Sequence, residues 1–321
     1  MAFPQSGAIL RSDLNTVILQ GRAVDSLCIA DKVLPPFEVP GKNGQYPFFG
    51  IAEAETLSSI VSDRNPDGSY NEVQRSYTKK TYDCQDRGLE ERVDDAYRED
   101  ISRFFSAETI AAQLTYTNVK LAYETRAATA LYNTANFTAT SAIVSYTASA
   151  TANVDFVRDV QNAVQRMTQN GTLPNTIVLS DTLINYVKRT TLFQNFVKPY
   201  NAGYTGAIPT DTIVAAAFKD LGIDQVLIGR VATNSGQDRD TVSMSSVWNN
   251  TYFWVGNVAG GDPFGGGAGR TFVWNKEGGL FVTESYRDDR RRSDMVRVRQ
   301  HTAENIIDPA AGQLVITGYT A

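Results

Sequence analysis

The sequence predicts an α+β chain that joins slender parts to compact ones, and three observations carry that reading. From Leu89 to Asn170 there is neither glycine nor proline, and apolar residues recur at helical spacing through the first half of that span. Between Ala30 and Gly50, by contrast, Pro35, Pro36, Pro40 and Pro47 forbid helix and impose extended chain. From Val154 to Val231 short helical and strand patterns alternate, as in a compact α+β or α/β unit.

Residues 1–30 read as an N-terminal arm, with a short helix over Ser12–Leu19 and little core signal. Gly41 to Gly44 supplies a turn in the extended stretch, which continues through Asn65-Pro66-Asp67-Gly68, a strong turn signal, into alternating residues from Val73 to Cys84. Residues 31–85 therefore form an extended hairpin loop with little core of its own, whose stability must come from neighbours. Val93, Tyr97, Ile101, Phe104, Ala111, Leu114, Leu121, Ala128 and Leu131 then share one side of a helix running from Leu89 to Tyr132. Such a rod extends roughly 65 Å at about 1.5 Å per residue. Glu91, Arg98, Arg103, Lys120 and Arg126 lie opposite that stripe. Glu90, Glu91, Asp94, Asp95, Glu99 and Asp100 gather near its start, where the helix dipole favours negative charge. The Thr-, Ala- and Ser-rich stretch Thr134–Asn153 reads as a connection and completes a unit spanning 86–150.

A compact domain follows over 151–270. Val154, Val157, Val160, Val164 and Met167 form a helical stripe ending at Asn170-Gly171, and Thr176–Leu179 reads as a buried strand. Ser180 is placed to cap a helix over Asp181–Lys188, and Thr210 or Asp211 to open one over Thr212–Leu221, with Gly222 as its left-handed stop. Gln225–Val231 and Val247–Val255 supply strands. Nine of the 24 glycines fall between Gly256 and Gly279, which predicts loop. Residues 271–321 return as strands around Phe272, Trp274, Leu280–Tyr286 and Met295–Arg299; in the last, Val296 and Val298 face one way and Arg297 and Arg299 the other.

Catalytic chemistry finds little support. A chain of 321 residues that is 42% apolar can bury a sizeable core, while its net charge of -5 argues against a protein that wraps nucleic acid. The start MAFPQSGAILRSDL lacks the basic flank and apolar core of a secretion signal, and no apolar run approaches bilayer length. Cys28 and Cys84 stand far apart without a CxxC pattern and read as unpaired thiols. His301 is the only histidine, so neither a His-based metal cluster nor a Ser-His-Asp arrangement has material to draw on. Gly265 to Thr271 invites comparison with a phosphate-binding loop, but the required first glycine falls at Phe264 and Arg270 stands in place of the lysine. It reads instead as a flexible surface loop. Asn136, Asn170 and Asn249 or Asn250 begin glycosylation-like triplets that carry little weight without a secretion signal. No catalytic, cofactor-binding or metal-ligating residue is predicted. The contrary reading, an enzyme with a nucleotide loop at Gly265–Thr271, requires nucleotide binding that is lost on altering Arg270.

The cluster Arg287-Asp288-Asp289-Arg290-Arg291-Arg292-Ser293-Asp294 packs both signs of charge into a turn between two strands. Arg287, Arg290, Arg291 and Arg292 are expected to meet Glu90, Glu91, Asp94 and Asp95 of an adjacent copy, fixing register between neighbours.

In this order the elements resemble the major capsid protein of tailed bacteriophages, with its Hong Kong 97-type fold. ADKVLPPFEVPGKNGQYPFFG resembles the arm leading into that family's extended loop, and LEERVDD through LAYETRAATALYN its long spine helix. LPNTIVLSDTLINYVKR, LGIDQVLIGR and SSVWNNTYFWVG resemble parts of its axial domain, and SYRDDRRRSDMVRVRQ the return of the chain to the peripheral domain. The resemblance implies a structural protein that assembles with itself, through pentamers and hexamers, into an icosahedral virion shell around double-stranded DNA. Assembly would take place in the bacterial host cytoplasm, without a membrane. A portal is implied as a partner, with or without a decoration protein; with no long helical N-terminal scaffold in the chain, a separate scaffolding protein, or none, is implied. Contact with DNA would be weak and non-specific, through inward arginines such as Arg297 or Arg299. Lys42, Lys79 and Lys80 lie in the loop, but no crosslinking partner can be matched, so no covalent crosslink is predicted. Rings of five and six from one chain require joints, expected at Thr134–Asn153 and near Cys84. The alternative is a bacterial nanocompartment shell of the encapsulin kind, which encloses enzymes.

Overall fold

A computed structural model describes residues 9–10, 26–48, 68, 77–96, 98, 106–200, 208–234, 242–260, 266–275 and 279–320. In chain order the first half contains β1 (Ile9–Leu10), α1 (Ala30–Val33), β2 (Pro36–Val39), β3 (Asn43–Phe48), β4 (Thr78–Asp83), β5 (Gln85–Asp94), α2 (Ala107–Leu131) and β6 (Thr138–Ser141). Then come α3 (Phe156–Gln169), β7 (Thr176–Ser180), α4 (Asp181–Val187), α5 (Thr191–Val197), α6 (Asp211–Lys219) and β8 (Gln225–Gly229). The chain continues with β9 (Ala232–Asn234), β10 (Met244–Ser246), β11 (Tyr252–Gly256), β12 (Gly269–Trp274), β13 (Val282–Asp288), β14 (Ser293–Ile306) and β15 (Gly312–Ile316). The helix expected over Ser12–Leu19, most of the turn at Asn65–Gly68, and Tyr97, Glu99, Asp100, Ile101, Arg103 and Phe104 lie outside the described residues.

The first sheet has the order β1-β13-β14-β12-β2, with β5 on the other side of the long strand β14. The rod expected from Leu89 is shorter, because residues 85–94 are strand: β5 pairs antiparallel with β14 from Gln85↔Thr302 to Asp94↔Ser293. Ladder bonds to a strand some 200 positions away outweigh a local helical pattern in which Val93 alone is fully buried. Glu90, Glu91 and Asp94 consequently sit on a strand and not at a helix start. Ser106 opens α2, its hydroxyl accepting from Thr109 N at 3.4 Å. Ala111, Ala112, Thr115, Val119 and Tyr123 form its buried face, while Leu114 is 41% exposed. Small side chains thus let the helix lie close on the sheet, and the expected stripe is rotated.

The second sheet, β6-β15-β11-β7-β8, carries the compact domain. The helix ends and the Ser180 cap read from sequence recur here, and a cap not read there joins them. Asp155 caps α3, Gly171 and Gly222 take φ of 77° and 79°, and Ser180 Oγ accepts from Leu183 N at 3.2 Å. Thr210 holds the cap position of α6 without a side-chain bond. Phe156 centres an aromatic core, with ring centroids 5.0 Å from Phe253, 5.7 Å from Phe218 and 6.1 Å from Phe193.

Two boundaries differ from expectation. β15 leaves the returning strands and pairs with β11, and with β6 in parallel, so 271–321 divides between the sheets. Thr134–Asn153 is no loose joint: it contains β6 and the buried Phe137 and Tyr146. Asp159 fastens it to α3, accepting from Ile143 N at 3.0 Å and the Tyr146 hydroxyl at 2.9 Å. The glycine-dense stretch likewise contains β12, whose Gly269–Thr271 is buried between β14 and β2 rather than looped at the surface. No helix among the described residues is long and apolar enough to cross a membrane.

Candidate intersubunit surface

The hairpin of β13 and β14 turns at Asp289–Arg292, with Arg292 held at φ 46°. Strand register sets Arg287 opposite Asp294 and β5 alongside, so the acidic and basic groups meet within one chain. Arg287 grips Asp95 through two bonds of 2.6 Å and reaches Asp294 at 3.3 Å, while Arg98 reaches Asp294 at 2.5 Å. The Arg287 hydrogen bonds hold the Asp95 carboxyl below its ordinary value, and Arg287 itself is raised. Glu90 accepts from the Tyr286 hydroxyl at 3.0 Å, Glu91 from Thr115 at 3.3 Å, and Asp94 pairs with Arg92 at 3.7 Å. The pairing expected between copies is therefore satisfied internally by Arg287 and Asp95. Arg290, Arg291 and Arg292 are exposed; among the described residues only Arg291 has an ion pair, with Asp288 at 3.6 Å. Three guanidinium groups thus project from a turn whose base is braced.

Arg297 and Arg299 do face one way, but not as free cations. Glu284 accepts from Arg297 Nη2 at 2.5 Å and from Arg299 Nε at 3.0 Å and Nη2 at 2.5 Å. Phosphate contact would have to compete with that carboxylate. Burial would raise Glu284, yet the bonds from Arg297 and Arg299 outweigh it and hold the carboxyl below its ordinary value. A group depressed in the folded chain contributes stability above its unfolded value and loses it as pH falls through the folded one. Glu284→Gln is expected to cost about 2 kcal/mol at neutral pH. That gap should narrow as pH falls through and below the ordinary carboxylate range, as read by urea denaturation at neutral and acidic pH.

The base of the extended loop is fastened. β3 and β4 pair from Asn43↔Asp83 to Phe48↔Thr78, whereas β2 pairs with β12, so Gly41–Gly44 does not join two strands paired with each other. Tyr82 stacks on Phe272 at 4.8 Å, with Tyr46 at 5.4 Å. Lys80 Nζ donates to Ile307 O at 2.6 Å and lies 3.9 Å from the Phe48 ring centroid. Cys84 is fully buried. These ties replace the joint expected there.

A site that sequence reasoning missed lies on α2. Glu124, fully buried, accepts from Ile29 N at 2.9 Å, Ala30 N at 2.9 Å and Trp248 Nε1 at 2.8 Å. It serves as the cap of α1 and ties the segment after the arm to the spine and to the turn before β11. The signal was a lone carboxylate among Tyr123, Ala127 and Ala128, one turn from each alanine.

Cys28 and Cys84 are buried and form no disulfide with each other. His301 stands edge-on to Trp274 with centroids 5.2 Å apart. Arg270 is buried, its guanidinium 5.4 Å from the Phe37 ring centroid, a packing role unlike that of a phosphate-loop lysine. Among the described residues no group of three or more His, Cys, Asp or Glu could hold a metal.

No protein-family model and no curated sequence matches the chain. Solved structures do. A phage-related protein from Bordetella bronchiseptica RB50 is similar at 20% identity and a TM-score of 0.71, over 97% of this chain and 98% of that one. The capsid protein of Cyanophage P-SCSP1u is similar at 11% identity and a TM-score of 0.60, over 91% and 88%. An encapsulin from Synechococcus elongatus PCC 7942 is similar at 9% identity and a TM-score of 0.53, over 97% and 96%. What these likenesses define is a fold. The chain has the Hong Kong 97-type fold of phage capsid proteins.

Proposed function

We propose that this chain is a major capsid protein that assembles through pentamers and hexamers into an icosahedral head enclosing double-stranded DNA, and that it catalyses no reaction. The observation that carries the reading is likeness to phage-derived chains along nearly the whole length of both partners. The geometry agrees: a two-stranded arm with little core of its own is stabilised by whatever covers it, and adjacent copies can supply that cover. Scaffolding, portal and decoration proteins are proposed partners, the virion its place, and the host cytoplasm its site of assembly. With a net charge of -5, DNA is confined mainly by the container and its counterions.

The proposed contact between copies rests on Arg290, Arg291 and Arg292, aimed at acidic side chains of a neighbour. Reversing Arg291 and Arg292 to Glu is expected to abolish particles in negative-stain images while the melting temperature of the subunit stays put. Normal particles from that variant refute the contact. The encapsulin likeness supports the second reading, a nanocompartment shell. Particles from the native source carrying nuclease-protected DNA favour the head; particles filled with a protein cargo and free of DNA favour the nanocompartment. A chain that forms no particles, with or without a scaffold, defeats both.

A further inference from the structure

β5 forms an outer edge of the first sheet: among the described residues β14 is its sole strand partner, so half its backbone N–H and C=O groups point away from the sheet. The edge is ten residues long, Gln-Asp-Arg-Gly-Leu-Glu-Glu-Arg-Val-Asp. Its charges are palindromic. Laid antiparallel against itself about Leu89, the strand sets Asp86 opposite Arg92 and Arg87 opposite Glu91, each pair occurring twice by symmetry. Gly88 then faces Glu90, and Leu89, an exposed apolar side chain at 48%, faces its own copy. Every other centre between Arg87 and Glu91 sets like charges opposite one another: Arg87 on itself, Asp86 on Glu90, Glu90 on itself, or Glu91 on itself. Asp86 and Arg92 are also loosely held at home, with side chains 56% and 54% exposed and nearest ionic partners 3.7 Å away, His301 and Asp94.

We propose that β5 is a homotypic docking edge, and that two copies of the chain join their first sheets through antiparallel β5 pairing centred on Leu89 across a local two-fold axis. The proposal rests on the self-assembling reading above and adds to it the contact, its partner and its register. An edge strand dressed in charge resists indiscriminate pairing; this arrangement of charge admits one register.

The test uses the full chain carrying Leu89→Cys. Directly opposed Cα atoms lie about 4.5–5.5 Å apart, within the disulfide span of about 4.4–6.8 Å. Cys28 and Cys84 are buried and stay out of the reaction. Oxidised particles are expected to yield covalent dimers on non-reducing gels, whereas Glu91→Cys, facing Arg87, yields few. Asp86→Arg and Arg92→Asp are each expected to cut particle yield about tenfold by opposing like charges, and the double variant to restore it. Intact particles whose Leu89→Cys subunits remain monomeric overturn the pairing and leave the shell reading standing. So do single charge variants that assemble like wild type. Failure of the unaltered chain to form any particle overturns the shell reading, and the pairing with it.

Discussion

Glu124→Ala is expected to release α1 from α2 and to destabilise the chain by about 3–5 kcal/mol, because it strands three buried donors at once. The donors are Ile29 N, Ala30 N and Trp248 Nε1, and the carboxylate is the group that gathers them. Glu124→Gln keeps one acceptor oxygen in the same place and should lose less. Chemical denaturation measures the difference. Limited proteolysis near Ile29 shows where it falls, and an Ala variant within 1 kcal/mol of wild type, by the same order of reckoning, would refute the argument. The pH response has its own sign. Burial pushes the Glu124 carboxyl above its ordinary value, against the pull of the Ile29, Ala30 and Trp248 donors. The folded chain then binds this proton more tightly than the unfolded one, so acidification through the carboxylate range adds stability through Glu124. Glu284 behaves in the opposite way over the same range.

Gly229→Ala is the second large effect, expected at about 3 kcal/mol through overpacking. A Cβ there would lie 2.1 Å from Trp248 Cδ1 and 2.2 Å from Cγ. The indole has nowhere to go: it is fully buried, edge-on to Tyr132 with centroids 5.4 Å apart, and bonded to Glu124. Moving it breaks the Glu124 cluster as well. The two substitutions therefore share one mechanism, and a double-mutant cycle should show them costing clearly less together than the sum of the two. Strict additivity would mean that Trp248 does not link them.

Local signals in the sequence survived in the structure where the physics was local. Ser180 caps α4, Gly222 stops α6, and Val296 and Val298 alternate with Arg297 and Arg299, because each depends on residues a few positions away. What was illegible depended on distant partners. Residues 89–94 carry a helical spacing that would suit a rod, but their conformation is decided by Ser293–Val298. Leu114 looked like core and faces outward, because Ala111, Ala112 and Thr115 permit the closer approach. Of the charged groups near residues 90 and 290, Arg287 and Asp95 meet within one chain, and a sequence carries no mark to say whether such partners share a chain. Glu124 was overlooked because a buried carboxylate is recognisable only once its donors, 95 and 124 positions away, are in place.

The spine spans both sheets. Its first turns pack with Val93 and Val296, and beyond its last turn the Tyr132 hydroxyl donates to Val178 O at 3.3 Å. The connections from β11 to β12 and from β14 to β15 cross between the same two sheets as well. A plate braced along three lines resists twisting far better than one hung on a single hinge. In the shell proposed above, five- and six-membered rings would demand different curvature from identical tiles, and braced tiles would pass that demand outward to the seams.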